Sequence, residues 1–240
     1  INGTDGMFGM LILAIHDLES LTDSADVIAA MSVEGLLGTD QVFRPELHFA
    51  LRPHAGQAKS AANMYAALAG SPIVASHRDG DDRVQDAYSL RCAPQVTGAV
   101  RDSIAYAKSV AENELAAAID NPVVLESGEV TSNGNFHGAP VGYVLDFLAI
   151  TATDLGSMSE RRTDRMLDKA RSFGLNPFLA EDAGVDGALA GGEIGAGHPG
   201  QHRPEHHVRV LVEAPQRAAE ARDPAHAGPP LVLDAVREAN

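Results

Sequence analysis

The side chains best suited to chemistry in this sequence lie between Gln85 and Arg91, a stretch of seven residues that holds an amide, a phenol and a guanidinium. Arg91 can bind a carboxylate through two parallel hydrogen bonds, a geometry that lysine cannot match. Tyr88 precedes Arg91 by three residues, so a helical segment would place both side chains on one face. By spacing alone, an ion pair between Arg91 and a surface acid is the commoner arrangement. The segment therefore predicts either a carboxylate-binding site or a surface ion pair.

Two other polar loops separate apolar helical patterns, and loops on a rigid scaffold often carry function. In the first, the amide of Asn2 adjoins Gly3, where a ligand can approach the backbone closely. A helix N-terminal cap is the alternative role for Asn2. In the second, Phe136 stands between polar neighbours in a glycine-containing turn. Its ring also fits a plug of the core, and His137 by itself is typical of a structural histidine.

The remaining polar patterns do not predict a metal or nucleophile site. His202 and His206 have the i, i+4 spacing of zinc ligands on a helix, but prolines flank them and no acid or thiol cluster accompanies them, so we expect no metal. No Gly-rich phosphate loop and no Gly-x-Ser-x-Gly turn occurs. Asp164 and Asp168 are expected to form ion pairs rather than a catalytic carboxylate pair. Their expected partners are Arg161, Arg165 and Lys169.

The elements that must position these loops are long amphipathic helices, since apolar residues recur at helical spacing on either side of each loop. Ser24 is predicted to cap the second of them. The stripe after Pro94 is predicted to continue as far as Ile119. The predicted elements are helices near residues 1–20, 24–35, 55–70, 94–120, 141–155 and 159–171, with an extended piece over 123–130.

Composition excludes some classes of protein. The net charge of -15 argues against nucleic acid as a partner, because phosphate binding needs clustered Lys and Arg. Aromatic residues make up only 5%, which favours tightly packed helices. The single cysteine, Cys92, excludes an internal disulfide and is typical of a reducing compartment. No apolar run has the length of a membrane span. We therefore expect an all-α, cytoplasmic protein that binds neither nucleic acid nor a membrane.

The composition changes near residue 190. Residues 191–240 contain no Ser, Thr, Phe, Tyr, Met or Lys, but hold six of the 13 prolines and five of the 10 histidines. Disordered tails are usually rich in Ser and Lys, whereas this bias is what reading a GC-rich gene in the wrong frame produces. We expect residues 1–189 to form one helical region, and residues 190–240 to be a poorly ordered, frameshifted tail unrelated to it. Sequencing the underlying DNA tests this hypothesis.

Six motifs occur in an order and at a spacing that resemble the aromatic amino acid ammonia-lyase family. They are Asn2-Gly3-Thr4, Arg52-Pro53-His54-Ala55-Gly56-Gln57, the stretch 85–91, Asp120-Asn121-Pro122, the stretch 134–138 and Ser159-Glu160-Arg161-Arg162. The resemblance runs from residue 1 to about residue 189. Asn135-Phe136-His137-Gly138 is similar to the histidine branch of the family, since the phenylalanine and tyrosine branches typically have Asn-Phe-Gln-Gly there.

The resemblance implies an all-α fold, a bundle of long helices of the aromatic amino acid lyase type, similar to that of fumarase and aspartase. It implies elimination of ammonia from L-histidine to give urocanate, in histidine degradation. The family uses an electrophile, methylidene-imidazolone (MIO), which forms autocatalytically from an Ala-Ser-Gly tripeptide, and it uses no metal. Family members are homotetramers in which several subunits contribute to each active site.

The resemblance also assigns roles to particular residues. Asn2 and Gln85 would hold the electrophile and the substrate amine by hydrogen bonds. Tyr88 would lie beside the electrophile, and Arg91 would bind the substrate carboxylate. Phe136 would pack over the electrophile and fix its geometry.

One departure from the family pattern bears on activity. No Ala-Ser-Gly occurs in the 240 residues, and the chain opens on Ile1 rather than Met. In the family both this tripeptide and the base tyrosine lie upstream of the Asn-Gly-Thr loop. We therefore expect an internal fragment of a lyase that is inactive alone. The alternatives are another MIO enzyme, such as a phenylalanine or tyrosine ammonia-lyase or an aminomutase, and a non-catalytic helical partner of intact subunits.

Overall fold

The computed structural model describes residues 3–180, and its regular structure there is almost entirely helical. The α-helices of this region are α1 (Asp5–Gly35), α2 (Ala55–Ala67), α3 (Pro72–Ser76), α4 (Tyr88–Arg91), α5 (Ala93–Leu115) and α6 (Ala139–Leu167). A small antiparallel hairpin joins α5 to α6 through β1 (Val123–Val124) and β2 (Val130–Thr131). Short 3-10 helices occur at Gln41–Phe43, Pro45–Leu47 and Pro177–Leu179. The all-α expectation is confirmed.

The first helix is continuous where the sequence pattern predicts two helices. α1 spans 31 residues. Ser24 does not cap a helix, since its hydroxyl donates to the backbone carbonyl of Ser20 at 3.0 Å. A serine inside a helix can satisfy its hydroxyl in this way, and no glycine or proline lies between residues 10 and 35 to interrupt the helix. The predicted boundary at Ser24 is therefore wrong.

The main core forms where apolar stripes of α1, α5 and α6 meet. The predicted stripes are largely confirmed, and burying one such Val or Leu side chain stabilises the fold by about 1.5–3 kcal/mol. Leu115 is 73% exposed, because α5 ends there rather than continuing to Ile119. The buried members from α5 and α6 are Val100, Ile104, Ala107, Val141, Val144, Leu145, Leu148 and Leu155.

Two glycines allow α2 and α5 to pack in direct backbone contact. A Cβ atom at Gly56 would lie 2.1 Å from the backbone oxygen of Gly98, and a Cβ atom at Gly98 would lie 2.3 Å from the Cα atom of Gln57. Neither position has room for any larger residue. The contact fixes α2 against the first turns of α5. Met64 of α2 and Leu68, the residue after that helix, then fill a second apolar cluster with the end of α1.

A buried polar cluster also joins α1, α2 and α5. Asp26 of α1 is 1% exposed and accepts hydrogen bonds from Arg101 at 2.7 Å and from Asn63 at 2.9 Å. Arg101 also donates to the hydroxyl of Ser60 at 3.0 Å. Because a buried carboxylate is costly unless it is paired, these contacts specify how the three helices align.

The long helices have defined directions relative to one another. Thr4, immediately before α1, donates to the carboxylate of Glu114 in the last turn of α5. Gly138, immediately before α6, packs against Met7 in the first turn of α1. Near its other end, α6 contacts α4 through Arg162. α1 and α6 therefore begin at the same end of the bundle, and α5 runs in the opposite direction.

The end of α6 forms ion pairs with a partner that the sequence pattern does not predict. Arg171 contacts the carboxylates of both Asp164 and Asp168. This contact lowers the pKa of Asp168, together with a backbone hydrogen bond from Ala170, which is the larger cause. The aspartates do form ion pairs as expected. The predicted partners Arg161, Arg165 and Lys169 are wrong, because the chain turns after Leu167 and brings Arg171 back onto the helix.

Within residues 3–180 no helix is both long and apolar enough to cross a membrane. In the same region no group of three or more His, Cys, Asp or Glu side chains could hold a metal ion. The expected tail over residues 190–240, which includes His202 and His206, lies outside the described residues, as does Asn2.

Candidate active site

Gln85, Tyr88 and Arg91 come together at the short helix α4. The Arg91 Nη1 atom donates to Gln85 Oε1 at 2.6 Å, and the guanidinium carbon lies 5.0 Å from the centre of the Tyr88 ring. Tyr88 is 71% exposed, whereas Arg91 Nε is buried and has no hydrogen-bond partner among the described residues. The shared face of Tyr88 and Arg91 is as predicted. Arg91 pairs with an amide rather than with a surface acid, so its charge is not neutralised by an ion pair within residues 3–180.

The loop that leads into α4 is fixed to the end of α1. Asp86 is 8% exposed and accepts a hydrogen bond from the backbone N–H of Thr39 at 2.7 Å. Arg83 pairs with the other oxygen of Asp86 at 3.4 Å and packs over the ring of Phe173 at 4.4 Å. The hydrogen bond from Arg83 to Asp81 raises the pKa of Arg83 and holds the pKa of Asp81 far below its ordinary value. Gln85 therefore lies beside Asp86, which Thr39 and Arg83 hold in place.

A third contact holds α4 from the side of α6. The Arg162 Nη1 atom donates to the backbone carbonyl of Ser89 at 3.1 Å. Arg162 is only 4% exposed, and burial lowers its pKa to about 10. Leu90, which follows Ser89, is 2% exposed and packs into the core below α4. The backbone of α4 is therefore anchored inward, while its polar side chains remain accessible.

A small open cavity lies beside Gln85 on the same side of the molecule. Its volume is about 210 Å³, and both acids and cations line it. The charged or titratable lining residues are Asp40, His77, Arg78, Asp81, Arg83 and Asp86. Because the charges are mixed and largely paired with one another, the cavity has no strong preference for one sign of ligand charge.

Phe136 and the described residues of the Asn2-Gly3-Thr4 loop lie at the opposite end of the bundle. Thr4 is 1% exposed, and its bond to Glu114 ties the first polar loop to α5. A Cβ atom at Gly138 would lie 2.5 Å from the sulfur of Met7, so the loop that carries Phe136 packs against the start of α1. Phe136 in that loop is 39% exposed, which excludes a simple core plug. The loop of Thr4 and the loop of Phe136 therefore lie at the same end of α1.

The length of α1 separates the two groups of residues. Its 31 residues rise about 1.5 Å each, which gives about 46 Å between its ends. The loop carrying Phe136 lies at its first turn, and the loop carrying Gln85 lies just after its last turn. Phe136 and Arg91 of one chain therefore do not contribute to the same site.

Arg162 is the functional candidate that sequence reasoning missed. In the sequence it is recognised only as part of the Ser159-Glu160-Arg161-Arg162 motif, which assigns it no role. A usable signal exists in the sequence. Leu148, Leu155 and Arg162 follow one another at intervals of seven, which places a cation on the buried face of α6. A charged residue on an apolar stripe needs a specific reason to be there.

The fold and the site together define a long-helix bundle protein with an accessible Gln–Tyr–Arg cluster suited to binding a carboxylate. A model of one family, described as aromatic amino acid lyase, matches residues 1–198. The chain belongs to this family.

Relatives within the family are similar in sequence or in structure. The chain is 68% identical over 189 residues to a histidine ammonia-lyase of Streptomyces avermitilis, a match that covers 79% of this chain and 37% of that protein. Among solved structures, a tyrosine aminomutase from Streptomyces globisporus has a TM-score of 0.75 at 30% identity, covering 100% of this chain and 48% of that one. A histidine ammonia-lyase from Trypanosoma cruzi has a TM-score of 0.69 at 29% identity, covering 100% and 44%. The chain thus spans less than two fifths of the length of the Streptomyces avermitilis relative.

Proposed function

We propose that this chain is part of a histidine ammonia-lyase, which eliminates ammonia from L-histidine to give urocanate in histidine degradation. One observation carries the proposal. Gln85, Tyr88 and Arg91, to which the family resemblance assigns contacts with the substrate or with the electrophile, form one cluster in a chain that is 68% identical over 189 residues to a histidine ammonia-lyase. Residues 1–189 form the lyase region in this proposal.

Arg91 binds the carboxylate of the amino-acid substrate. Its guanidinium is held on one side by Gln85 and packs against the ring of Tyr88, so the side chain is oriented before a substrate arrives. Preorganisation of this kind reduces the entropy lost on binding. Gln85 accepts a hydrogen bond through its oxygen, and its amide N–H groups are then available to a second acceptor. Tyr88, at 71% exposure, can move a proton at its hydroxyl near the bound substrate.

The polar residues of this chain fit the family's MIO group, since Gln85 and Tyr88 offer an amide and a phenol on one accessible surface. Asn2 and Gln85 would hold that group, and Phe136 would pack against it. When bound, MIO supplies the electrophile that makes departure of an amine possible. Its precursor Ala-Ser-Gly does not occur in these 240 residues. We therefore expect no urocanate from this chain alone.

Each active site takes residues from more than one subunit, in a homotetramer located in the cytoplasm. The separation of about 46 Å along α1 supports a site shared between subunits, because a rigid helix of that length cannot bring its two ends together. Exposed apolar side chains on the long helices also support it. On α6, Tyr143, Phe147 and Ile150 follow at helical spacing and are 74%, 44% and 67% exposed.

The experiment that tests the activity is a chimera. Residues 1–189 of this chain replace the aligned segment of the Streptomyces avermitilis enzyme, and the product is assayed with L-histidine, L-phenylalanine and L-tyrosine. We expect urocanate from histidine and no elimination from the other two. Turnover of phenylalanine or tyrosine instead would favour another MIO enzyme, which is the alternative that the likeness to a tyrosine aminomutase supports.

A mixing experiment tests the shared site. Arg91→Ala and Phe136→Ala chimeras should each be inactive, because each lacks one group of every site. Subunits exchanged between them should regain part of the activity, since some sites then take intact Arg91 from one chain and intact Phe136 from another. No recovery after verified exchange contradicts a shared site. If the 240-residue chain instead lowers the activity of the intact relative on mixing, the non-catalytic partner is favoured.

A further inference from the structure

We propose that Arg162 is a positioning residue for the substrate-binding cluster, holding α4 in place through the backbone of Ser89. The inference rests on the proposed function, because α4 carries Arg91, assigned there to the substrate carboxylate, and Tyr88, assigned to the electrophile beside it. Arg162 Nη1 donates to the carbonyl oxygen of Ser89 at 3.1 Å, and Ser89 follows Tyr88 and precedes Arg91 by two residues. The contact joins positions that are 73 residues apart in the sequence.

Arg162 occupies a place where a cation is costly. The residue is 4% exposed, and its Nε atom is buried without a hydrogen-bond partner among the described residues. Desolvation alone lowers its pKa, with no opposing contribution from a neighbouring carboxylate within residues 3–180. An unpaired buried charge destabilises a fold, and an apolar residue of similar size is often neutral or stabilising in its place. The cost of burying this cation points to a role for Arg162 beyond general stability.

The helix that Arg162 contacts cannot hold its own conformation. α4 has four residues, far fewer than a helix needs to be stable by itself. It ends at Arg91, with Cys92 as its C-cap, and Pro94 in the first turn of α5 has no N–H to offer a carbonyl of α4. Arg162 donates to the carbonyl of Ser89, the second residue of α4, and a cation interacts favourably with helix carbonyl groups that have no partner within the helix. Without it, the outward-facing side chains of Tyr88 and Arg91 lose one of their supports.

The first test follows α4 directly in the 240-residue chain, by limited digestion with trypsin. Arg162→Met keeps the size of the side chain and removes the charge and the donor. We expect cleavage after Arg91 to accelerate about tenfold, because local opening governs the rate, while cleavage after Lys108 in α5 stays unchanged. Arg161→Met is the matched control, since Arg161 is an exposed neighbour that pairs with Glu160, and neither rate should change.

The second test measures catalysis in the chimera with the Streptomyces avermitilis enzyme. Arg162→Met should lower kcat/KM for L-histidine by about 10- to 100-fold, because small displacements of a positioning group have effects of that size. Its melting temperature should stay equal or rise. Arg162→Lys should restore part of the activity, since its ammonium can also donate to Ser89. Arg161→Met should retain the parent activity.

The outcomes separate the two proposals. A parent chimera without activity on histidine refutes the proposed function, while the digestion still decides whether Arg162 holds α4. Unchanged cleavage after Arg91 in Arg162→Met overturns the inference. So does a lower melting temperature with equal acceleration after Arg91 and Lys108, because a purely structural residue would produce that pattern.

Discussion

The backbone contact between α2 and α5 makes Gly98→Ala a sharp test of the fold. A methyl group there would lie 2.3 Å from both the Cα and the N atom of Gln57, which cannot move by changing a rotamer. Carbon atoms pack at about 3.5–4.0 Å, so the helices must separate by about 1.2 Å or more. Overpacking costs about 1–3 kcal/mol, and a clash between backbones belongs at the upper end of that range. Higher helix propensity of alanine offsets about 1 kcal/mol.

We therefore expect Gly98→Ala to lower the free energy of unfolding by about 2 kcal/mol, and the melting temperature by about 4–8 °C for a chain of this size. Urea unfolding of the chain, followed by far-UV circular dichroism, measures the change. Gly9→Ala is the control, because Gly9 lies in α1 and a methyl group added there would have nothing within 4 Å. That variant should gain up to about 1 kcal/mol. Equal stability of the two variants would refute the close contact.

Three further predictions concern single side chains. Arg91→Lys in the chimera should raise KM for L-histidine about tenfold or more with a smaller effect on kcat, because lysine cannot bind a carboxylate bidentately; steady-state kinetics measure both. Thr4→Val should lower the free energy of unfolding by about 1–3 kcal/mol in urea titrations, since it leaves the Glu114 carboxylate without its hydroxyl partner. Burial raises the pKa of the Cys92 thiol, so its alkylation rate should reach half its maximum at a higher pH than that of a free cysteine. A profile matching that of free cysteine would contradict the placement of Cys92.

Helical periodicity predicted the long helices because their burial repeats with the helix itself. Val100, Ile104 and Ala107 share a face by spacing alone, and the same face is buried in the structure. Helix ends were less predictable, since they depend on what the next segment contacts. Ser24 is a residue type that often caps helices, but it lies within a continuous helix, where the backbone carbonyl of Ser20 accepts a hydrogen bond from its hydroxyl. A capping residue marks a boundary only where the helix has another reason to end.

The site was predictable in proportion to how local its contacts are. Tyr88 and Arg91 are three residues apart, so helical spacing predicts their shared face, whereas the contact of Arg91 with Gln85 joins α4 to the loop before it. The contacts that support them are remote: Thr39 is 47 positions from Asp86, and Arg162 is 73 positions from Ser89. Spacing cannot predict such contacts, because the tertiary fold determines them. The charge of Arg162 on an apolar stripe was the one local sign of such a contact.

The rigidity of α1 explains why the residues assigned to one active site do not all meet within one chain. Residues that the family resemblance assigns to one active site lie at opposite ends of a helix about 46 Å long. Loop motion cannot bridge that distance, since α1 is buried against α5 and α6 over much of its length. Apolar faces on α6 remain exposed at Tyr143 and Ile150. In the tetramer that we propose, a second chain laid antiparallel against such faces would bring its Arg91 end beside the first chain's Phe136 end, so the proposed assembly and the proposed active site would depend on the same helices.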